Sequence, residues 1–214
     1  MDKECVILVH GLVRSKSSMR KMERALNSNG FYTINWSYSC ITHMIPHIAE
    51  NLGKVIEDNS EHYSKIHFVT HSMGGIVLRR LLAVQEIEKI GKIVMVAPPN
   101  KGSLSATVLI NNPLLKAFFG PPGQELKSGK YINRICAIPK CKFMIIAGSK
   151  SFDIKNPTSW LTGNIFKTPN DGTVSINETK LPGADKFLII HDSHSFIMNN
   201  TLVISETVKY LREN

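Results

Sequence analysis

Residues 69–82 read VTHSMGGIVLRRLL: the end of an apolar run, a histidine, a serine, a methionine, two glycines, then an amphipathic run. A serine between a strand and a helix can serve simply as an N-cap, its hydroxyl accepting from the first free N–H groups of the helix. The glycines point to something further. Gly74 stands two residues after Ser72, where the incoming helix passes close to the strand and a side chain would clash, and Gly75 adds room. A turn this tight pushes the Ser72 hydroxyl out at the carboxyl end of a sheet, the side on which open parallel sheets bind ligands. An exposed serine there can act as a nucleophile. It is weak at neutral pH, so it needs a base for its proton, usually a histidine, and a carboxylate to hold that histidine. Attack on a carbonyl also needs donors for the oxyanion that forms. The N–H of Met73, at the start of the helix, suits this role. A second donor is expected from the loop in LVHGLV, where Gly11 lets the chain turn closely and the N–H of Leu12 follows.

These residues need a scaffold, and the chain repeats a simple unit of apolar run, turn and amphipathic run. CVILVHG (5–11), FYTINWSYS (31–39), KIHFVTHS (65–72), KIVMVAPP (92–99), CKFMIIAGS (141–149) and DKFLIIHD (185–192) read as strands. Continuous apolar runs of this length suit strands buried on both faces. Helical spacing of apolar residues predicts helices over 15–30, 44–59, 73–87 and 201–214. Alternation of the two kinds predicts a mainly parallel sheet with helices on both faces. The 214 residues suit one α/β domain over 1–214. One stretch, 100–140, breaks the rhythm with apolar residues interrupted by Pro and Gly. It reads either as an irregular excursion packed on the core or as a small cap over an apolar pocket.

The formal charge is +9, from 26 Lys and Arg against 17 Asp and Glu. The basic residues are scattered, with no aromatic platform among them, so no nucleic-acid partner is expected. The charge allows peripheral contact with an anionic membrane surface. No stretch approaches the ~20 apolar residues of a membrane helix, and the start of the chain lacks the pattern of a signal peptide, so a cytoplasmic location is expected. Cys5, Cys40, Cys136 and Cys141 match no zinc or redox spacing, and free thiols are expected.

VILVHGLV, THSMGGIV, NDGTVS and HSFIM, in that order, resemble the α/β-hydrolase superfamily, in particular its small lipase/esterase-like members. The resemblance covers nearly the whole chain. It departs from the G-x-S-x-G pattern at one position, where Thr70 stands in place of the first glycine. The superfamily order is nucleophile, acid, histidine. In IIHDSHSFIM this favours His194, in the loop after the last strand, over His191, which abuts the strand. For the acid, the similarity of NDGTVS to the D-G-x-V pattern favours Asp171, although P-N-D-G is also a plain turn signal. Asp153, soon after the strand near 143–147, is the alternative acid. The H-x-x-H of His191 and His194 has no third ligand in view, so no metal is expected, and no cofactor either. His10 is expected to order the oxyanion loop by bonding to nearby backbone. The resemblance implies hydrolysis of a carboxylic ester through an acyl-enzyme. Leu104, Leu114, Leu115, Phe118 and Phe119 are candidates for holding an apolar acyl group. A thioesterase or amidase would use the same residues, and a hydrolase fold kept only for binding is a further alternative.

Overall fold

The computed structural model describes residues 3–127, 129–162 and 164–213. The strands are β1 (Glu4–Val9), β2 (Tyr32–Trp36), β3 (Lys65–His71), β4 (Ile90–Val96), β5 (Phe143–Gly148) and β6 (Lys186–Ile190). Among the described residues they form one sheet in the order β2-β1-β3-β4-β5-β6, with every pairing parallel. The helices are α1 (Arg20–Ser28), α2 (Ile45–Ser60), α3 (Met73–Leu82), α4 (Leu104–Leu109), α5 (Pro113–Glu125), α6 (Gly129–Ile135), α7 (Pro157–Thr162), α8 (Ile176–Thr179) and α9 (Thr201–Arg212).

The apolar strands sort their side chains to two cores because successive residues point to opposite faces. Cys5, Ile7, Val9, Phe68, Ile93 and Ile145 pack with α2 and α3. Val6, Leu8, Val69, Val94 and Ile146 pack with α1 and α9. Helices therefore cover both faces, as the alternation predicts. β3 is buried from Ile66 to His71, and it carries the nucleophile candidate at its end.

Two features differ from the sequence expectation. The helix expected over 73–87 stops at Leu82, because Val84 and Gln85 both donate backbone N–H to Leu81 O and turn the chain. That turn drops Ile87 into the core and starts β4 at Ile90. The stretch near 100–140 is helical rather than irregular. Ser103 and Asn112 cap α4 and α5 with their side chains, and Pro113 occupies the first turn of α5. Gly120 then kinks α5 at φ 62°, ψ −168°. Only glycine fits, since a Cβ there would collide with Ile41 O. Leu126, Ile132 and Cys136 sink into the core and anchor this segment over the carboxyl end of the sheet.

Two buried charges fix it further. Glu125 accepts from Ile45 N at 2.6 Å and from the Tyr131 hydroxyl at 2.6 Å, which ties α5 to the start of α2. Arg79, 1% exposed, donates to Ala137 O at 2.9 Å and to Asn100 Oδ1 at 3.0 Å. No helix among the described residues is long and apolar enough to cross a membrane. All four cysteines are free.

Candidate active site

Ser72 has φ 53° and ψ −124°, a conformation that L-residues rarely adopt. It stands at the N-cap position of α3, yet its side chain makes no capping hydrogen bond. The hydroxyl is instead aimed away from the helix. Gly74 permits this corner: a Cβ there would lie 2.8 Å from His10 O and closer still to Val9 O. Gly11 plays the matching part in the opposite loop, where a Cβ would stand 3.0 Å from the Ser72 Cβ. Thr70 fits where a glycine is usual because Gly75 faces it. A Cβ on Gly75 would meet Thr70 Oγ1 at 3.2 Å. The strain sits at Ser72, and Thr70 remains an ordinary strand residue of β3.

The hydroxyl of Ser72 lies 2.9 Å from His194 Nε2. On the other side of the ring, His194 Nδ1 lies 2.7 Å from Asp171 Oδ2. Asp171 is fully buried, and its second oxygen accepts from Thr173 N at 3.0 Å and Val174 N at 2.7 Å. Gly172, at φ 88°, completes this turn. The turn and the carboxylate are thus one feature, since the bend of Asp-Gly-Thr-Val supplies the N–H groups that orient the acid. Backbone ties the two loops as well, through His194 N to Asp171 O at 2.9 Å.

The competing residues stand apart from this chain of contacts. Asp153 takes Lys150 Nζ at 2.8 Å and Ser193 Oγ at 3.0 Å. The ion pair with Lys150 lowers its carboxyl to about 2, helped by the Lys155 N–H. His191 is exposed, with Ser149 Oγ 3.4 Å from its Nδ1. Among the described residues no three His, Cys, Asp or Glu side chains gather as a metal site would require.

Two further histidines shape the corner. His10 Nδ1 donates to Gly11 O at 3.0 Å, and its ring stacks on Tyr38 at 4.1 Å while the Tyr38 hydroxyl donates to His10 O. This holds the loop that leads to Leu12, and Val13, at φ 55°, turns the chain immediately after it. His71 Nε2 donates to His194 O at 3.0 Å. Burial, with the nearby His194 and Arg14 charges, holds its pKa well below the usual histidine range, so His71 stays neutral.

A cavity of about 320 Å³ opens over Ser72 and His194. Leu12, Leu109, Ile110, Phe118, Phe119 and Leu126 give it an apolar wall. The segment near 100–140 therefore does line a pocket, but with different residues from several of those expected. Phe118 and Phe119 are in the wall. Leu104, Leu114 and Leu115 are not: helical phase turns Leu104 and Leu114 outward, at 42% and 81% exposure, and leaves Leu115 half-buried away from the cavity. Leu109, Ile110 and Leu126 replace them. The apolar spacing could have shown this had 104–109 been read as a helix, since Leu109 and Ile110 lie about a turn and a half beyond Leu104.

The order β2-β1-β3-β4-β5-β6, a strained serine between β3 and α3, and a histidine after β6 together decide the architecture. This is the α/β-hydrolase fold. Residues 2–106 match the model of a family described as "Putative serine esterase (DUF676)". Among solved structures with the hydrolase fold, the mature lipase BlEst2 of Bacillus licheniformis is 22% identical, with a TM-score of 0.83 over 98% of this chain and 92% of that one. The phospholipase PlaB of Legionella pneumophila is 17% identical, with a TM-score of 0.77 over 99% of this chain and 60% of that one. A monoacylglycerol lipase of Paleococcus ferrophilus is 16% identical, with a TM-score of 0.62 over 97% and 93%. No curated protein matches the chain in sequence.

Proposed function

We propose that the protein hydrolyses carboxylic esters of lipase or esterase type, with Ser72 as nucleophile, His194 as base and Asp171 as the acid that holds it. The observation that carries this reading is the unbroken run of contacts from Ser72 Oγ through the His194 ring to buried Asp171, at the floor of an apolar cavity. The match to a serine-esterase family and the lipases among the structural neighbours support the same class.

In this mechanism Ser72 Oγ attacks the ester carbonyl carbon as His194 Nε2 takes its proton. The oxyanion is held by the N–H groups of Met73, at the start of α3, and of Leu12, in the loop fixed by His10. Collapse expels the alcohol, which receives the proton from His194, and leaves the acyl group on Ser72. Water, activated by the same histidine, then releases the acid. Asp171 keeps the imidazole in the tautomer with Nδ1 protonated and offsets the charge it gains. The apolar wall from α4 and α5 suits an acyl chain.

Labelling with a fluorophosphonate probe, mapped by mass spectrometry, tests the nucleophile, and p-nitrophenyl esters of increasing acyl length test the substrate class. Labelling at Ser72 with turnover of at least the shorter esters is expected. No label and no ester turnover would sink the proposal.

A further inference from the structure

We propose that the substrate carries an anionic group, a phosphate or a carboxylate, on the alcohol side of the scissile ester, and that Arg14 binds it. This rests on the ester-hydrolase reading above and extends it to a substrate class.

Arg14 belongs to the wall of the cavity over Ser72 and also to a second cleft of about 460 Å³ beside it. The two spaces share Val13, Arg14 and Ser195, so they meet at the catalytic corner. Their characters differ. The first is mainly apolar and faces α4 and α5. The second is floored by hydroxyl and amide groups, those of Ser15, Ser17, Ser18, Ser195 and Asn199.

The charge of Arg14 is unanswered. Among the described residues its guanidinium makes no hydrogen bond and no ion pair, and it rests at 6.0 Å from the Phe196 ring. Among the described residues no carboxylate lines either space. Asp171, the acid beside His194, is already taken by His194, Thr173 and Val174. A partly buried cation without a counterion is costly to keep, and burial already draws its pKa down from the usual arginine value. The Phe196 ring at 6.0 Å engages none of the guanidinium's hydrogen-bonding edge, and that edge matches phosphate and carboxylate oxygens in pairs.

The side on which it stands decides which part of the ester it meets. The leaving alcohol takes its proton from His194 Nε2. The residues that follow His194 in the chain, Ser195 and Phe196, line the cleft that holds Arg14. The acyl chain has the apolar wall that α4 and α5 give the first space.

The test uses three soluble esters that share a butyryl group and a three-carbon alcohol but differ in charge: those of glycerol, of glycerol 3-phosphate and of glyceric acid. For the wild-type protein kcat/KM should be about 10-fold to 100-fold higher for an anionic ester than for the neutral one, the range expected for charge-assisted hydrogen bonds. The faster of the two anionic esters identifies the source as phosphate or carboxylate. The advantage should shrink as salt rises from about 0.02 to 0.5 M. In Arg14→Gln the ratio of anionic to neutral kcat/KM should fall toward one, and Arg14→Lys should keep part of it. Independently of any variant, free glycerol 3-phosphate or glycerate should inhibit turnover of the neutral ester by the wild type, less so at high salt. Equal kcat/KM for all three esters, or a ratio unchanged in Arg14→Gln, overturns the assignment of Arg14 while leaving the hydrolase reading intact. Turnover of none of the three overturns the substrate class proposed here, and with no fluorophosphonate label at Ser72 it overturns the hydrolase reading as well.

Discussion

The corner at Ser72 and the helical segment over it, residues 104–135, both build the site, but by opposite means. The corner is defined by what is missing. Gly11 and Gly74 let the loop after β1 and the start of α3 approach so closely that one added carbon at Gly74 would strike Val9 O, and Gly75 leaves room for the side chains of Thr70 and Pro98. The segment above is held by a few anchors: Leu126, Ile132, the carboxylate of Glu125 and the Arg79 contacts just outside it. Much of its outer surface is apolar and exposed, including Leu104, Val108, Leu114 and Phe118. Positions that fix a reacting atom tolerate no change of volume, whereas those that shape a pocket need only keep an apolar face inward.

The largest effects should come from the residues aligned at the corner. Ser72→Ala is expected to lower kcat/KM for a p-nitrophenyl ester by about 10⁶-fold and Asp171→Asn by about 10⁴-fold. Asp153→Asn should leave kcat/KM near wild type, because its carboxylate faces Lys150 and Ser193 rather than the His194 ring. If Asp153→Asn costs more than Asp171→Asn, the acid has been assigned to the wrong loop.

Next come substitutions that set packing in the corner against packing above it. Gly74→Ala should cost about 3 kcal/mol or more, since backbone rather than a flexible side chain would have to move. Leu114→Ser, at an 81% exposed position, should change stability by less than ~0.5 kcal/mol. Urea unfolding of both variants measures the contrast, and equal costs would remove it. Glu125→Ala belongs between them. It leaves the buried N–H of Ile45 and the Tyr131 hydroxyl without their acceptor, a loss of about 1–3 kcal/mol. Hydrogen exchange should then quicken in 104–135 while β3 keeps its protection. Uniform quickening would mean that the segment and the sheet open as one unit.

The same contrast governs how much was legible in the sequence. The strands announced themselves because a strand buried on both faces needs a continuous apolar run, and VILV, FVT and FMIIA are such runs. Ser72 was legible because its strain demands glycines at fixed offsets. The residues of the wall were not. Leu104 and Leu114 are as apolar as Leu109 and Leu126, and only the helical phase of α4 and the kink at Gly120 decide which of them faces the cavity. Arg14 was hidden for another reason. In a chain with 26 Lys and Arg, nothing in one arginine's neighbours along the sequence reveals that it has no ionic partner among the described residues.

A last expected effect distinguishes the two regions by their charge. Three histidines in or directly after the strands, His10, His67 and His71, have pKa values drawn below the usual histidine range, chiefly by burial. The residues of 104–135 include no histidine. A group whose folded pKa is depressed binds protons more readily in the unfolded chain. Its contribution to stability is therefore complete above about pH 6.5 and is lost as pH falls toward the folded value. Each such histidine should add up to about 1.4 kcal/mol per pH unit to the acid slope. For His71 the effect has a definite structural consequence. Protonation would put a charge beside His194, Arg14 and His10, next to the carbonyl that positions the His194 loop. Urea unfolding at a series of pH values between 7.5 and 5 should show stability falling toward acid. His71→Gln keeps an amide donor about where Nε2 stands and removes the titration, so its slope should be shallower than that of the wild type. An unchanged slope would place the acid sensitivity at His10 and His67, away from the loop that carries His194.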